Sequence, residues 1–342
     1  MNRLQLGELR PLAVGTETRP LLSVVIPVFN ERDNLPELVE RLEAALAPLA
    51  ARGFEVLVVD DGSTDGSRSL LAELAAARPW LLPLFLIRNY GQSTALQAGF
   101  DHARGQYVAT LDGDLQNEPN EIPRLLAVLE ADPEIDAVSG WRKQRQDRAL
   151  SRRLPSWLAN RLISAVTGVR LHDYGCALKV YRASITENLR LYGEMHRFIP
   201  ALAVEAGARI VEVPVVHHPR TRGTSKYGLD RAVRVALDLL WVKFALRFLQ
   251  RPLHAFGGVG LALLAPGGAI LGYLAFDKLA LGNDIGGRPL LLLGVLLALM
   301  GVQLLATGVI AELIMRVYHE PQGHRQYLLR SSPALDARRR AR

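Results

Sequence analysis

Two stretches near the C-terminal end constrain this chain most: Pro252 to Phe276 and Pro289 to Ala311 each run without a formal charge, with Asp277 to Arg288 between them. At about 1.5 Å of rise per helical residue, either run exceeds the roughly 30 Å of hydrocarbon in a bilayer. They read as two transmembrane helices, 252–276 and 289–311, forming a hairpin. The alternative is a pair of helices buried in a globular core. Two uncharged runs of this length, joined by one short polar connector, favour the membrane.

Basic residues set the direction of the hairpin, because cytoplasmic flanks carry an excess of Lys and Arg. Arg231, Arg234, Lys243, Arg247 and Arg251 precede the first run, and Arg316, Arg325, Arg330, Arg338, Arg339, Arg340 and Arg342 follow the second. The connector offers only Lys278 and Arg288, offset by Asp277 and Asp284. A multi-pass protein of the inner (cytoplasmic) membrane is therefore expected, with both termini and the domain ahead of the hairpin in the cytoplasm. The N-terminal extension, residues 1–20, lacks the apolar core of a secretory signal. Residues 230–251 mix Val, Leu, Phe and Trp with the cations just named, as an interfacial helix leading into a bilayer would, although a core helix of the soluble part has the same composition. Residues 312–342 read as a basic cytoplasmic tail.

Cys176 is the only cysteine, which excludes an intrachain disulfide and a Cys-rich zinc site. The net charge of +7 points to an anionic partner: nucleic acid, anionic lipid or a phosphorylated substrate. Charge alone does not choose among them.

Ahead of the hairpin the pattern changes. Leu21 to Pro27, Phe54 to Asp60, Leu84 to Ile87, Tyr107 to Leu111 and Ala137 to Trp141 have the short aliphatic character of buried strands. Leu35 to Ala51, Ser67 to Ala77, Ser93 to Ala103 and Glu121 to Glu130 have helical patterning between them. Such alternation predicts an α/β domain with a mostly parallel sheet, whose ligands bind beyond the carboxyl ends of the strands. The informative residues cluster at those ends: Pro27-Val28-Phe29-Asn30-Glu31 after the first strand and Asp60-Asp61-Gly62-Ser63-Thr64-Asp65-Gly66-Ser67 after the second. Acidic residues there can accept hydrogen bonds from a base N–H or from ribose hydroxyls; an ordinary capped turn would use the same residue types.

The fourth strand runs straight into Asp112-Gly113-Asp114-Leu115-Gln116. If the chain stays extended, a period of two puts Asp112, Asp114 and Gln116 on one side. Three oxygen ligands then converge, a donor set that selects Mg2+ or Mn2+ bridging carboxylates to substrate phosphates. A D-x-D in isolation also occurs in surface turns. Further on, Trp141 to Arg161 carries Arg142, Lys143, Arg145, Arg148, Arg152, Arg153 and Arg161 against the single acid Asp147. Arginines at this density can clamp phosphate oxygens, sit against anionic headgroups, or form a solvated face. His172 has no second Cys or His at zinc-ligand spacing, and His217 and His218 fall at a strand end from which they could approach donor phosphates, although a plain loop role is favoured.

Taken in order, P-V-F-N-E, D-D-G-S-T-D-G-S, D-G-D-L-Q, Asp173-Tyr174-Gly175-Cys176 and Arg220-Thr221-Arg222-Gly223-Thr224-Ser225-Lys226-Tyr227, followed by the two apolar runs, resemble the family-2 inverting glycosyltransferases of GT-A fold. The arrangement is most similar to their polyisoprenyl-phosphate branch, and it covers about Leu21 to Ala311. The resemblance implies a Rossmann-like GT-A catalytic domain over 21–229 followed by the two-helix hairpin. It implies that Pro27, Phe29, Glu31, Asp60 and the adjacent Asp61 bind the nucleotide-sugar donor, with Arg220 and Lys226 closing on its diphosphate. Asp112, Asp114 and Gln116 would hold Mg2+ or Mn2+, and Asp112, Asp114 and Arg142 would be catalytic. Arg142, Ser151 and Arg152 match the region that binds the acceptor phosphate. Two departures stand out: Phe29 replaces a common Tyr, and Gly113 replaces a common Ala.

The implied reaction moves a sugar from a nucleotide, UDP-glucose first, to undecaprenyl phosphate with inversion, for modification of envelope glycans. GDP-mannose, UDP-GlcNAc and an aminoarabinose derivative remain open as donors. The implied partners are the nucleotide sugar, the polyprenyl phosphate and the membrane, with no nucleic acid and with a homo-oligomer left open. A rival enzyme, transferring to a hydroxyl, would need a base such as Glu194 or Asp173; the chain has no Arg-Trp pair and so lacks the Q-x-x-R-W signature of processive synthases. A rival from another class, a non-catalytic binder of anionic lipid or nucleic acid, gives no reason for Asp112, Asp114 and Gln116.

Overall fold

The computed structural model describes residues 19–143, 164, 168–191, 193, 195–219 and 252–319. Ser151, Arg152, Arg220, Lys226, Glu194, the expected interfacial helix over 230–251 and the basic tail beyond 319 lie outside the described residues. The chain divides into two compact units, one carrying a sheet and one carrying the apolar helices.

The aliphatic runs become strands β1 (Leu22–Val28), β2 (Phe54–Asp60), β3 (Leu81–Phe85), β4 (Tyr107–Thr110) and β5 (Ala137–Trp141), joined by β6 (Lys179–Arg182) and β7 (Ile210–Pro214). Their order is β3-β2-β1-β4-β6-β5-β7. Neighbours pair in parallel except β6, which runs antiparallel to both β4 and β5. The expected α/β class with a mostly parallel sheet is what the structure shows. Helices α1 (Leu35–Leu46), α2 (Ser67–Ala76), α3 (Gln92–His102) and α4 (Glu121–Ala131) connect the strands.

One face of the sheet is covered by α1 and α4. Leu35, Leu38, Val39, Leu42 and Leu46 recur at helical spacing and bury against Val24, Ile26, Val56 and Val58, in one core with Ile122, Leu125 and Leu129 of α4. On the other face α3 lies against β1 so closely that a Cβ at Gly99 would sit 2.1 Å from Val25 Cγ1. This contact fixes where the first turn of α3 stands relative to the strand ends.

Two expected boundaries change, and two strands are new. The third strand begins three residues early, at Leu81, because Pro83 is tolerated where β3 forms the edge of the sheet; Ile87, expected inside it, is 90% exposed. The helix expected to run to Ala51 stops at Leu46 and tightens to a 3₁₀ turn over Ala47–Arg52, since Pro48 has no N–H to donate to Ala44. Strands β6 and β7 were not legible: β6 is short and bounded by Lys179 and Arg182, so it has no apolar run of its own.

In the second unit, helices Pro252–Leu281 and Pro289–His319 pack as an antiparallel pair. Among the described residues their most apolar windows are only 17% and 11% buried, unlike helices of a globular core, and by length and composition they are candidate membrane spans. The first helix runs past the uncharged stretch to include Asp277, whose carboxylate accepts from Asn283 Nδ2 at 2.8 Å and pairs with Arg288 Nη1 at 2.6 Å, tying off the connector. Small residues let the backbones meet: a Cβ at Gly260 would lie 2.9 Å from the Gly301 carbonyl, and one at Gly267 would lie 2.7 Å from Ala298 N.

Candidate active site

The loops after β1 and β2 are sewn together. Asn30 takes a left-handed conformation (φ 56°), its N–H donates to Ser63 Oγ at 2.9 Å, and its side-chain oxygen accepts from Thr64 N at 2.8 Å. Glu31 N–H reaches Ser67 Oγ at 3.2 Å, and Arg32 N–H reaches Asp65 at 3.1 Å. The Ser, Thr and Asp residues of the second loop therefore do serve as turn groups, and in doing so they fix the strand end that carries Pro27, Phe29 and Glu31, all three half-buried.

Asp60 is fully buried, accepting from Ser63 N at 3.2 Å and from Arg68 Nε at 3.2 Å. Asp61 turns to the third loop, where its two oxygens accept from Tyr90 N at 2.7 Å and Gly91 N at 2.9 Å. Burial pushes the Asp61 carboxyl above the ordinary carboxylate range, with those two amides pulling the other way. Asp61 thus sets the start of α3. Gln92, the first residue of α3, donates from Nε2 to Asp112 Oδ1 at 2.9 Å, and buried Ser93 holds His196 through both its backbone N–H and Nδ1 at 3.0 Å.

The chain does not stay extended after β4. Gly113 and Asp114 form a turn and Leu115 takes φ 60°, so the period-two geometry expected for Asp112, Asp114 and Gln116 is replaced by a turn. Burial still alternates: Asp112, Asp114 and Gln116 are half-buried, while Gly113, Leu115 and Asn117 are buried. Gly113 is where it is because a Cβ there would meet Val28 Cγ1 at 2.7 Å. The segment is clamped from beyond by a bridge between Asn117 and His217 and by His218 N–H donating to the Gln116 carbonyl at 2.8 Å. Among the described residues no three His, Cys, Asp or Glu side chains gather into a metal cluster. Two carboxylates with an amide oxygen are nonetheless a hard donor set of the kind Mg2+ uses when substrate phosphates and water complete its shell.

Arg142 follows β5 and meets Asp173 at two points, Nε to Oδ2 at 2.6 Å and Nη2 to Oδ1 at 2.8 Å, with only 11% and 9% of the two side chains exposed. Gly175 lets the loop fold over this pair, since a Cβ there would lie 2.9 Å from Arg142 Nη2. Burial weakens both charges, but the mutual hydrogen bonds and the attraction of the opposite charges together outweigh it, so the Arg142 pKa rises and the Asp173 carboxyl falls below the usual carboxylate range. Two more buried groups stand beside them. Burial pushes the Cys176 thiol up to about 11, which makes it inert, and pulls the Lys179 ammonium below the usual lysine range. His172 stacks on Trp141 with ring centroids 4.4 Å apart and bonds Glu212 at 2.8 Å, a packing role.

Sequence reasoning missed Gln92, Ser93, Arg68 and Lys179. Gly91-Gln92-Ser93 carried a helix-start signal, but nothing local tied it to Asp112.

A mixed sheet with a D-x-D turn after β4, acidic loops after β1 and β2, and a carboxylate-oriented arginine after β5 defines a GT-A-like glycosyltransferase domain. The chain belongs to glycosyl transferase family 2, whose family model matches residues 23–190. It is 50% identical over 318 residues to the dodecaprenyl-phosphate galacturonate synthase of Rhizobium johnstonii, covering 90% of this chain and 92% of that one. It is 40% identical over 310 residues to the undecaprenyl-phosphate 4-deoxy-4-formamido-L-arabinose transferase of Klebsiella pneumoniae subsp. pneumoniae, covering 90% and 92%. A solved mycobacterial protein superposes with a TM-score of 0.50 at 20% identity over 66% of this chain and 74% of that one, a likeness of fold alone.

Proposed function

We propose that this enzyme transfers a sugar from a nucleotide-sugar donor to a polyprenyl phosphate with inversion at the anomeric carbon. The observation that carries this reading is the half-buried pair Asp112 and Asp114 at the end of β4, in a chain that continues into two exposed apolar helices. The donor we put first is a nucleotide-linked uronic acid, ahead of the glucose expected from sequence. The support is that the relative at 50% identity is a galacturonate synthase and the one at 40% acts with an arabinose derivative.

In this reading Pro27, Phe29 and Glu31 border the nucleotide, Asp60, buried behind them, holds the second loop against it, Asp61 holds α3 in place, and Arg220 and Lys226 close on the diphosphate. Asp112 and Asp114, with Gln116, hold Mg2+ or Mn2+, which supplies positive charge against the leaving diphosphate. Gln92 orients Asp112 for that task. Arg142 holds the acceptor phosphate together with Ser151 and Arg152; two of its five N–H bonds go to Asp173, which aims the guanidinium, and among the described residues the other three are open to an anion. A phosphate monoester, with its second pKa of about 6, is already anionic at neutral pH and needs no general base. Transfer to a hydroxyl would need one, and Asp173, held ionised by Arg142, is a weak base.

Both termini and the catalytic domain face the cytoplasm, where the hairpin keeps the domain beside its lipid acceptor. The test is a screen of radiolabelled nucleotide sugars with membranes containing the full chain and added undecaprenyl phosphate. A polyprenyl-phosphate sugar formed from one donor, a uronic acid before glucose, is expected. Label appearing only in free sugar or in a hydroxyl acceptor overturns the reading.

A further inference from the structure

Lys179 has no part in the reaction as described, yet it is 5% exposed at the start of β6. Burying an ammonium among apolar strands costs stability unless its surroundings compensate it. The contact it makes is specific. Its Nζ donates to the Cys176 carbonyl, in the loop that also carries Asp173 onto Arg142.

Register makes the position informative. Lys179 pairs with Thr110 of β4, two residues before Asp112, and with Ser139 of β5, three residues before Arg142. The backbone its ammonium grips is tied to the same two strands: Thr110 Oγ1 donates to the Ala177 carbonyl at 2.6 Å, and Gly140 N–H to the Leu178 carbonyl at 2.9 Å. One buried cation therefore sits where the strand that ends in the donor-side carboxylate and the strand that ends in the acceptor-side guanidinium are held together.

We propose that Lys179 is a positioning residue: by bracing the Cys176 to Leu178 backbone between β4 and β5, it sets the separation of Asp112 from Arg142, and hence of leaving diphosphate from incoming phosphate. It rests on the transfer reading above. Displacement at carbon needs the two reactants in near-attack geometry, and a misplacement of about 1 Å can cost on the order of a hundredfold in rate. Binding of either substrate alone does not need that geometry.

The experiment compares wild type, Lys179→Met, Lys179→Arg and Thr110→Val as full chains in lipid nanodiscs. It measures nucleotide-sugar affinity, melting temperature, and kcat at saturating donor and polyprenyl phosphate. For Lys179→Met we expect kcat down by about a hundredfold, with donor Kd within about threefold of wild type, and Lys179→Arg recovering at least about tenfold of the loss. Thr110→Val, which slackens the same brace without removing a charge, is expected to lower kcat by about three- to tenfold with donor Kd unchanged. Lys179→Met with wild-type kcat overturns the inference. So does loss of donor binding, melting temperature and kcat in parallel in all three variants, which is the signature of a purely structural residue. If Lys179→Met fails to fold, Thr110→Val decides by the same split. A wild-type chain that binds nucleotide sugar but transfers nothing to polyprenyl phosphate overturns the transfer reading as well, whereas an active wild type beside an equally active Lys179→Met overturns the positioning role alone.

Discussion

Arg142 and Asp173 face each other in a two-point contact at 2.6 and 2.8 Å, largely out of water. Removing one partner leaves the other charge buried, which typically costs about 3–5 kcal/mol. Asp173→Asn is therefore expected to lower the melting temperature and to raise the KM for polyprenyl phosphate more than that for the donor. Because the folded-state carboxyl of Asp173 is depressed, the pair's contribution is present above the unfolded carboxyl pKa of about 3.9 and is lost as pH falls through the lower folded value. Melting curves should show the wild-type advantage over Asp173→Asn constant from about pH 5 to 8 and shrinking in stronger acid. An advantage that instead disappears toward alkaline pH would contradict the assignment.

Asp114→Asn is expected to reduce transfer by at least about a hundredfold while the chain still folds and inserts, since in the proposed reaction it removes one anionic metal ligand opposite the leaving diphosphate. Chelation with EDTA should abolish wild-type turnover and added Mg2+ or Mn2+ should restore it. Full activity in excess chelator would remove the metal from the proposal.

Gly113 and Val28 form a lock between the DxD turn and β1. Gly113→Ala is expected to cost about 1–3 kcal/mol by overpacking, with transfer falling as Asp112 and Asp114 shift. Because the clash is with Val28 Cγ1, the double variant Gly113→Ala, Val28→Ala should be less destabilised than the sum of the two single changes. Strictly additive losses in thermal melts would place the strain elsewhere.

A reporter inserted near Asn283 should lie outside the cytoplasm, with reporters at both termini inside. The warrant is the contrast between an electrically balanced connector and the basic segments flanking both helices. Labelling of the connector from the cytoplasmic side only would make the two helices re-entrant or peripheral, and would remove the membrane half of the proposed function while leaving the nucleotide-sugar half intact.

What the sequence determined by itself was whatever depends on neighbours along the chain. The hairpin follows from two uncharged runs of bilayer length. Strands β1, β2, β4 and β5 follow from aliphatic runs closed by Gly, Pro or Asp, and the loops bearing Pro27, Phe29, Glu31, Asp60 and Asp112 fall at their ends because a parallel sheet places ligands there. Even the alternation of Asp112, Asp114 and Gln116 with buried neighbours was legible, although the backbone beneath it turns at Leu115. Tertiary structure decided the rest. It reversed β6 and set it between β4 and β5, brought Asp173 onto Arg142, carried Gln92 across to Asp112, and closed Asp61 on the start of α3. Each of these joins segments far apart in the chain through strand register or a buried charge. Hydrophobic periodicity encodes only which face of an element is buried, so it is silent about which distant strand that face will meet.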